Sequence, residues 1–194
     1  MRFIQIIQTL RSKSFPLKKI EIKSFKKLGV NFIFGNDYII KNEKYITIGD
    51  NFSCSDRFRI EAWDDYQGEH FCPEIIIGNN VCFNTDIHIG CINRIEIGDD
   101  CLFGSRIYIT DHDHGGTSRD DIYITPIRRK LISKGPVIIE KNVYVGEGAA
   151  ILSGVRIGEN SIIATNAVVT KDVAKNTVVA GVPARVIKTI INND

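Results

Sequence analysis

Several things are scarce or missing in this chain. No pair of its five cysteines (Cys54, Cys72, Cys82, Cys91, Cys101) has Cys-x-x-Cys spacing, and an odd number argues against a closed disulfide set. Free buried thiols in a reducing compartment are therefore expected, with no metal site. No apolar run approaches the ~18 residues of a membrane span, and no leader with a small-residue cleavage site is apparent. A soluble, cytoplasmic protein is expected. No serine or cysteine stands in a recognisable triad or nucleophile elbow. The basic N-terminal end lacks the interleaved aromatics of a nucleic-acid module, so no nucleic acid is expected as a partner. Charge of one sign is short overall, with a net of +2, but it is unevenly spread. Residues 1–44 carry ten Lys and Arg against three Asp and Glu. That end suits anionic headgroups or phosphates, peripheral membrane contact included, or is simply a solvated face.

What is present is a rhythm. Aliphatic residues stand at Ile139, Val145, Ile151, Ile157, Ile163 and Val169, six apart. Small or β-branched residues follow four later, at Val143, Ala149, Val155, Ser161, Ala167 and Val173. A helix with 3.6 residues per turn cannot hold a six-residue period on one face. Short strands separated by turns can, and this period predicts a parallel β-helix in a single domain.

The same rhythm is read from Ile48 through Cys54 and Ile60, breaks over residues 62–74, and resumes at Ile77, Phe83 and Ile89. A two-residue slip moves it to Ile97, Phe103 and Ile109 before a second break at residues 110–136. The expected organisation is an extension over 1–45, a coil over 46–188 with two protruding loops, and a tail over 189–194. Short helical segments are expected over residues 1–12 and from Ala184 onward. Each coil touches only its neighbours, so an excursion costs little folding energy. Loops on a rigid scaffold are also where catalytic groups sit.

The four histidines are His70, His88, His112 and His114, and the last two share the second loop. A histidine titrating near neutrality and oriented by a carboxylate suits a general base. Asp111 and Asp113 flank His112. In the first loop, Trp63, Asp64, Asp65 and Tyr66 offer hydrogen bonds and ring stacking to a ligand.

The coils, the His-bearing loop and the closing run VVTKDVAKNTVVAGVPARVIK (168–188) together resemble the hexapeptide-repeat acetyltransferases, closest to the maltose and galactoside O-acetyltransferase group and the sugar acetyltransferases of polysaccharide biosynthesis. The resemblance implies an all-β fold, a left-handed parallel β-helix, assembled as a homotrimer with active sites between subunits. It implies acetyl-CoA as the acyl donor and a sugar or lipid-linked saccharide as acceptor, O-acetylated rather than N-acetylated. Counting five residues from Ile109 selects His114 as the catalytic base and is preferred; matching on Thr-x-His selects His112. Asn84 stands where the family contacts its acceptor, or serves as a turn residue at a coil corner, and Asp64, Asp65 and Trp63 of the first loop could meet a sugar by their own chemistry. The cofactor residues by match are Tyr144, Gly146, Ala164, Thr165, Thr170 and Lys171, with Arg185 and Lys188 toward the phosphates. Small residues are also what tight coil stacking requires.

The implied chemistry is direct attack of the acceptor on the thioester, with histidine taking and returning the proton and a backbone N–H or polar group at the oxyanion. Two rivals remain: a non-catalytic scaffold, and a zinc enzyme of the γ-carbonic anhydrase type with His88 as third ligand beside His112 and His114.

Overall fold

The structure, a computed structural model, describes residues 24–190. The helix expected over residues 1–12 lies outside them. Three sheets of parallel strands form the three sides of a coil. The first runs from Lys27–Leu28 through Ile46–Ile48, Glu74–Ile77, Arg94–Ile97 and Val137–Ile139 to Arg156–Ile157. The second runs from Ile39–Lys41 through Phe58–Ala62, Ile87–Cys91, Tyr108–Thr110 and Ala150–Ile151 to Val168–Val169. The third runs from Ser53–Cys54 to the C-terminal hairpin.

Every lead aliphatic from Ile139 to Val169 is buried to 1% exposure or less, and the residues four later point inward with them. Strand alternation explains this, because one residue in two faces the inside of the coil. The inside changes filling along its length. Phe34, Phe52, Phe58, Phe83 and Phe103 pack in series near the N-terminal end, the last pair stacked at 4.3 Å. Valine, isoleucine and alanine replace them beyond Val137.

The coil begins earlier than Ile48. Leu28 pairs with Ile48, Ile33 bridges to Ser53, and Ile40 pairs with Ile60. Leu28, Phe34 and Ile40 are themselves six apart, and Gly29 and Gly35 follow the first two as Gly49 and Gly78 follow Ile48 and Ile77. That signal is present in the sequence but is masked by the surrounding lysines.

One corner of the coil is turned by residues in the left-handed region: Asn31, Asn51, Asn80, Asp100, Asn142, Asn160 and Asn176. Asparagine and aspartate tolerate that conformation better than other side chains. Their side chains also stack, Asn31 donating to Asn51, Asn51 to Asn80, and Asn80 to Asp100 at 2.8–3.1 Å. Asn142 donates to Asn160 and Asn160 to Asn176 in the same way.

The chain from Ala184 is not a helix. Arg185–Thr189 is a strand, antiparallel to Thr177–Ala180, with all five residues exposed. Val186, Ile187 and Thr189 are β-branched, and the sheet edge at Thr177–Ala180 would otherwise be unpaired. The hairpin closes that edge.

Candidate active site

Both breaks in the rhythm leave the second sheet, the first after Phe58–Ala62 and the second after Tyr108–Thr110. Phe58–Ala62 and Ile87–Cys91 have five residues, where most strands of the coil have two or three. Register stacks Arg59, His88 and Tyr108 in one outward row, and Glu61, Gly90 and Thr110 in the next. These six residues floor a cavity of about 260 Å³, walled by Trp63, Tyr66, His112, His114, Ile127 and Leu131.

The loops form its roof because they meet. The first folds back as a hairpin, Asp65–Tyr66 against Glu69–His70. The second opens with Asp113–His114, antiparallel to Leu131–Ile132. Between them the Tyr66 hydroxyl donates to the Ile127 carbonyl at 3.0 Å, Gln67 donates to the same carbonyl, and Lys130 pairs with Glu69. Enclosure explains why Glu61 and Thr110, on the outer face of a sheet, are buried.

The two histidines sit differently. His112 retains 12% side-chain exposure, and its Nδ1 lies 3.0 Å from Oδ1 of Asp111, which is fully buried. That carboxylate also accepts from the Ile92 and Asn93 backbone N–H groups, at 2.9 and 2.8 Å, and from the Cys91 thiol at 3.2 Å. The two-residue slip in the repeat is this turn, which aims two consecutive amides at Asp111. Burial pushes the Asp111 carboxyl up, but His112, the two amides and the thiol together outweigh it, so its pKa falls below the ordinary value. An ionised Asp111 fixes the proton on His112 Nδ1 and leaves a lone pair on Nε2. Ser153 holds the start of the loop by donating to the Asp111 carbonyl at 2.6 Å. His114 is exposed, and its Nδ1 is 3.3 Å from the Tyr66 hydroxyl, where the two loops touch.

Other expected site residues are distributed as follows. Trp63 lines the cavity with the Lys41 ammonium over its ring. Asp64 accepts from Asn42, Tyr45 and Lys44 and joins the first loop to the preceding coil. Asp65 is exposed and pairs with His70. Asn84 is exposed at a coil corner, outside the cavity of this chain.

Tyr144 lies on the third sheet, in register with Ile162, Val178 and Lys188 in turn. Arg185 is on the same terminal strand, and Thr165, Thr170 and Lys171 are exposed. At Gly146 an added Cβ would stand 2.6 Å from the Thr165 amide, so coil stacking by itself requires glycine there; Ala164 is half-buried in the next coil. Among the described residues no three His, Cys, Asp or Glu side chains converge as metal ligands, and the rings of His88 and His112 each face a carboxylate instead. The thiols are free, as expected, but Cys72 is exposed and Cys82 half-buried.

Arg59, Glu61 and Gly90 were not among the expected site residues. The signal that finds them is positional: they flank Ile60 and Ile89, where a strand's neighbours must face outward.

The description "Bacterial transferase hexapeptide (six repeats)" matches residues 136–171, and "Hexapeptide repeat of succinyl-transferase" matches 94–116. The chain is 36% identical over 153 residues to WbbJ of Escherichia coli K12, named as a lipopolysaccharide biosynthesis O-acetyl transferase, covering 77% of this chain and 74% of that one. It is 34% identical to the galactoside O-acetyltransferase of the same organism, covering 62% of this chain and 56% of that enzyme. Among solved structures, the Bacillus cereus N-acyltransferase AntD superposes with a TM-score of 0.71 at 21% identity, covering 88% of this chain and 87% of that one. A maltose O-acetyltransferase from Clostridium difficile superposes at 0.58 and 22%, covering 98% and 86%. The coil is thus the left-handed parallel β-helix, and the chain belongs to the hexapeptide-repeat acetyltransferases.

Proposed function

We propose that this chain transfers an acetyl group from acetyl-CoA to a hydroxyl of a sugar or saccharide intermediate of surface-polysaccharide synthesis, in the cytoplasm and as a homotrimer. The observation that carries the reading is the ring of His112, lining the cavity between the two loops with its Nδ1 3.0 Å from a buried carboxylate. His112, rather than the His114 favoured by counting, is the base. Its Nε2 takes the proton as the acceptor oxygen attacks the thioester carbonyl, then returns it to the departing thiolate. Such positioned proton transfer contributes about 10²–10⁴ in rate. A hydroxyl acceptor is preferred to an amine because WbbJ and the galactoside enzyme are both named as O-acetyltransferases.

The donor runs along the third sheet. Ile162 and Val178 make a half-buried apolar strip between exposed Tyr144 and Lys188, suited to a pantetheine arm that ends on phosphates at Lys188 and Arg185.

The test is thiol release from acetyl-CoA against sugars, nucleotide sugars and lipid-linked saccharides. His112→Ala should abolish turnover, while His114→Ala should retain at least a tenth of it. Loss of activity in His114→Ala alone would transfer the base to His114. No release with any acceptor, and no binding of acetyl-CoA, would refute the acetyl-transfer reading.

A further inference from the structure

Proton transfer at His112 uses one side of the cavity floor and leaves the other without a role. On that other side Glu61 is 8% exposed, and its Oε2 accepts from Arg59 Nε at 2.7 Å and lies 3.2 Å from His88 Nε2. Oε1 has no hydrogen-bond partner among the described residues. Yet among the described residues no buried side-chain nitrogen or oxygen lacks a partner, so Oε1 reaches open space, and Glu61 lines the cavity. A carboxylate oxygen that opens on the cavity takes its donor from whatever fills the cavity. Burial, then the charge of Arg59, holds His88 below its ordinary pKa. A neutral His88 therefore presents Nε2–H to Glu61 and keeps the carboxylate fixed. Tyr108 lies beside it with ring centroids 5.3 Å apart.

Gly90 sets the distance between the two sides. The point where its Cβ would stand is 3.3 Å from His112 Cε1 and 3.8 Å from His88 Nε2. The missing side chain leaves room for a small polar group touching both sides, and neighbouring hydroxyls on a pyranose are separated by only about one hydrogen-bond length.

We infer that Glu61, fixed by Arg59 and His88, binds the hydroxyl adjacent to the one presented to His112, so that the acceptor is a neutral pyranose carrying a vicinal diol. The naming of His112 as the reacting side rests on the acetyl-transfer reading; the binding of the second hydroxyl does not. Arg59 already balances the charge of Glu61, which leaves no attraction for a cation. An acidic sugar would set a second carboxylate against the first.

The experiment is a binding titration of the full chain without acetyl-CoA, followed by ligand-observed NMR. Methyl gluco-, galacto- and mannopyranosides and their monodeoxy derivatives are compared on wild type, Glu61→Gln and His88→Ala, each checked by circular dichroism. At least one parent glycoside should bind wild type, and Glu61→Gln should weaken it about tenfold or more. One monodeoxy derivative should bind wild type as weakly as the parent binds Glu61→Gln, with no further loss when both changes are combined. A Kd within twofold of wild type in Glu61→Gln, losses that multiply, or no binding of any parent glycoside would each overturn the inference. If Glu61→Gln does not fold, the deoxy series on wild type and His88→Ala decides: one deoxy loss that His88→Ala reduces supports the inference, and a uniform series overturns it. Thiol release is measured separately. Release that depends on His112 beside binding indifferent to Glu61 removes only the diol; diol binding without release removes only acetyl transfer.

Discussion

Asp111→Asn exchanges a carboxylate that receives four donors for an amide that can receive them on one oxygen only. Ile92 N–H and His112 share Oδ1, while Asn93 N–H and the Cys91 thiol share Oδ2. If the new NH₂ replaces Oδ2, it meets two donors and leaves the Asn93 amide unsatisfied. If it replaces Oδ1, it meets the Ile92 amide and His112. The ring can relieve that contact only by moving its proton to Nε2, which removes the lone pair facing the cavity. Either arrangement loses charge-assisted bonds of about 1.5–3 kcal/mol each, and a stability loss of about 2–4 kcal/mol is expected at pH 7. The second arrangement also removes the base. In that arrangement kcat should fall by about 10²–10⁴, or about 3–5 kcal/mol at 1.36 kcal/mol per decade. Acid should reveal the same carboxylate. Its folded pKa lies below the ordinary 3.8, so its stabilisation is complete above about pH 4 and disappears as pH falls through the folded value. Asp111→Asn should lack that part of the acid dependence. The assays are thiol release between pH 6 and 8, and urea unfolding at pH 7 and pH 3. A variant with kcat within threefold of wild type and stability within about 1 kcal/mol of it would refute the dyad.

Gly90→Ala should cut kcat about tenfold or more at unchanged melting temperature, because the new methyl meets His112 Cε1 at 3.3 Å and displaces the ring rather than the coil. Phe83→Ala, which empties a site 1% exposed and stacked on Phe103, should cost about 3–5 kcal/mol in urea unfolding. With a maleimide or iodoacetamide at pH 8, Cys72 should react first, and Cys91 and Cys101 only after denaturation. Burial raises the Cys101 thiol to about 11, and burial beside Asp111 raises Cys91 further.

The sequence was most readable where one physical demand repeats. From Ile139 to Val169 the inside of the coil asks for the same residue every sixth position, and nothing competes with that demand. Leu28, Phe34 and Ile40 answer it too, but three positions, a single turn of the coil amid lysines, make a weak pattern. The tail was misread for a different reason. Arg185–Thr189 is five residues long, too short for periodicity to tell strand from helix, and its partner Thr177–Ala180 is a tertiary fact. The two histidines were found because loops carry chemistry. Their difference was not, because it depends on amides of Ile92 and Asn93, some twenty residues away in sequence. Glu61 was passed over because it reads as an ordinary outward residue until two loops close above it.

The corner ladder gives the coil a grain. Each asparagine hands its amide hydrogen to the next turn, and an aspartate can receive one but has none to pass on. The first string therefore terminates at Asp100, and a second starts at Asn142. The seam between them falls on the turn that carries residues 110–136. The first loop, over 62–74, lies instead within the first string, and the bond from Asn51 to Asn80 spans it. The turn that bears the histidines is thus a place where an exchangeable cassette sits between strings rather than within one, and a loop swapped there with a relative's should leave the two halves of the ladder as they are.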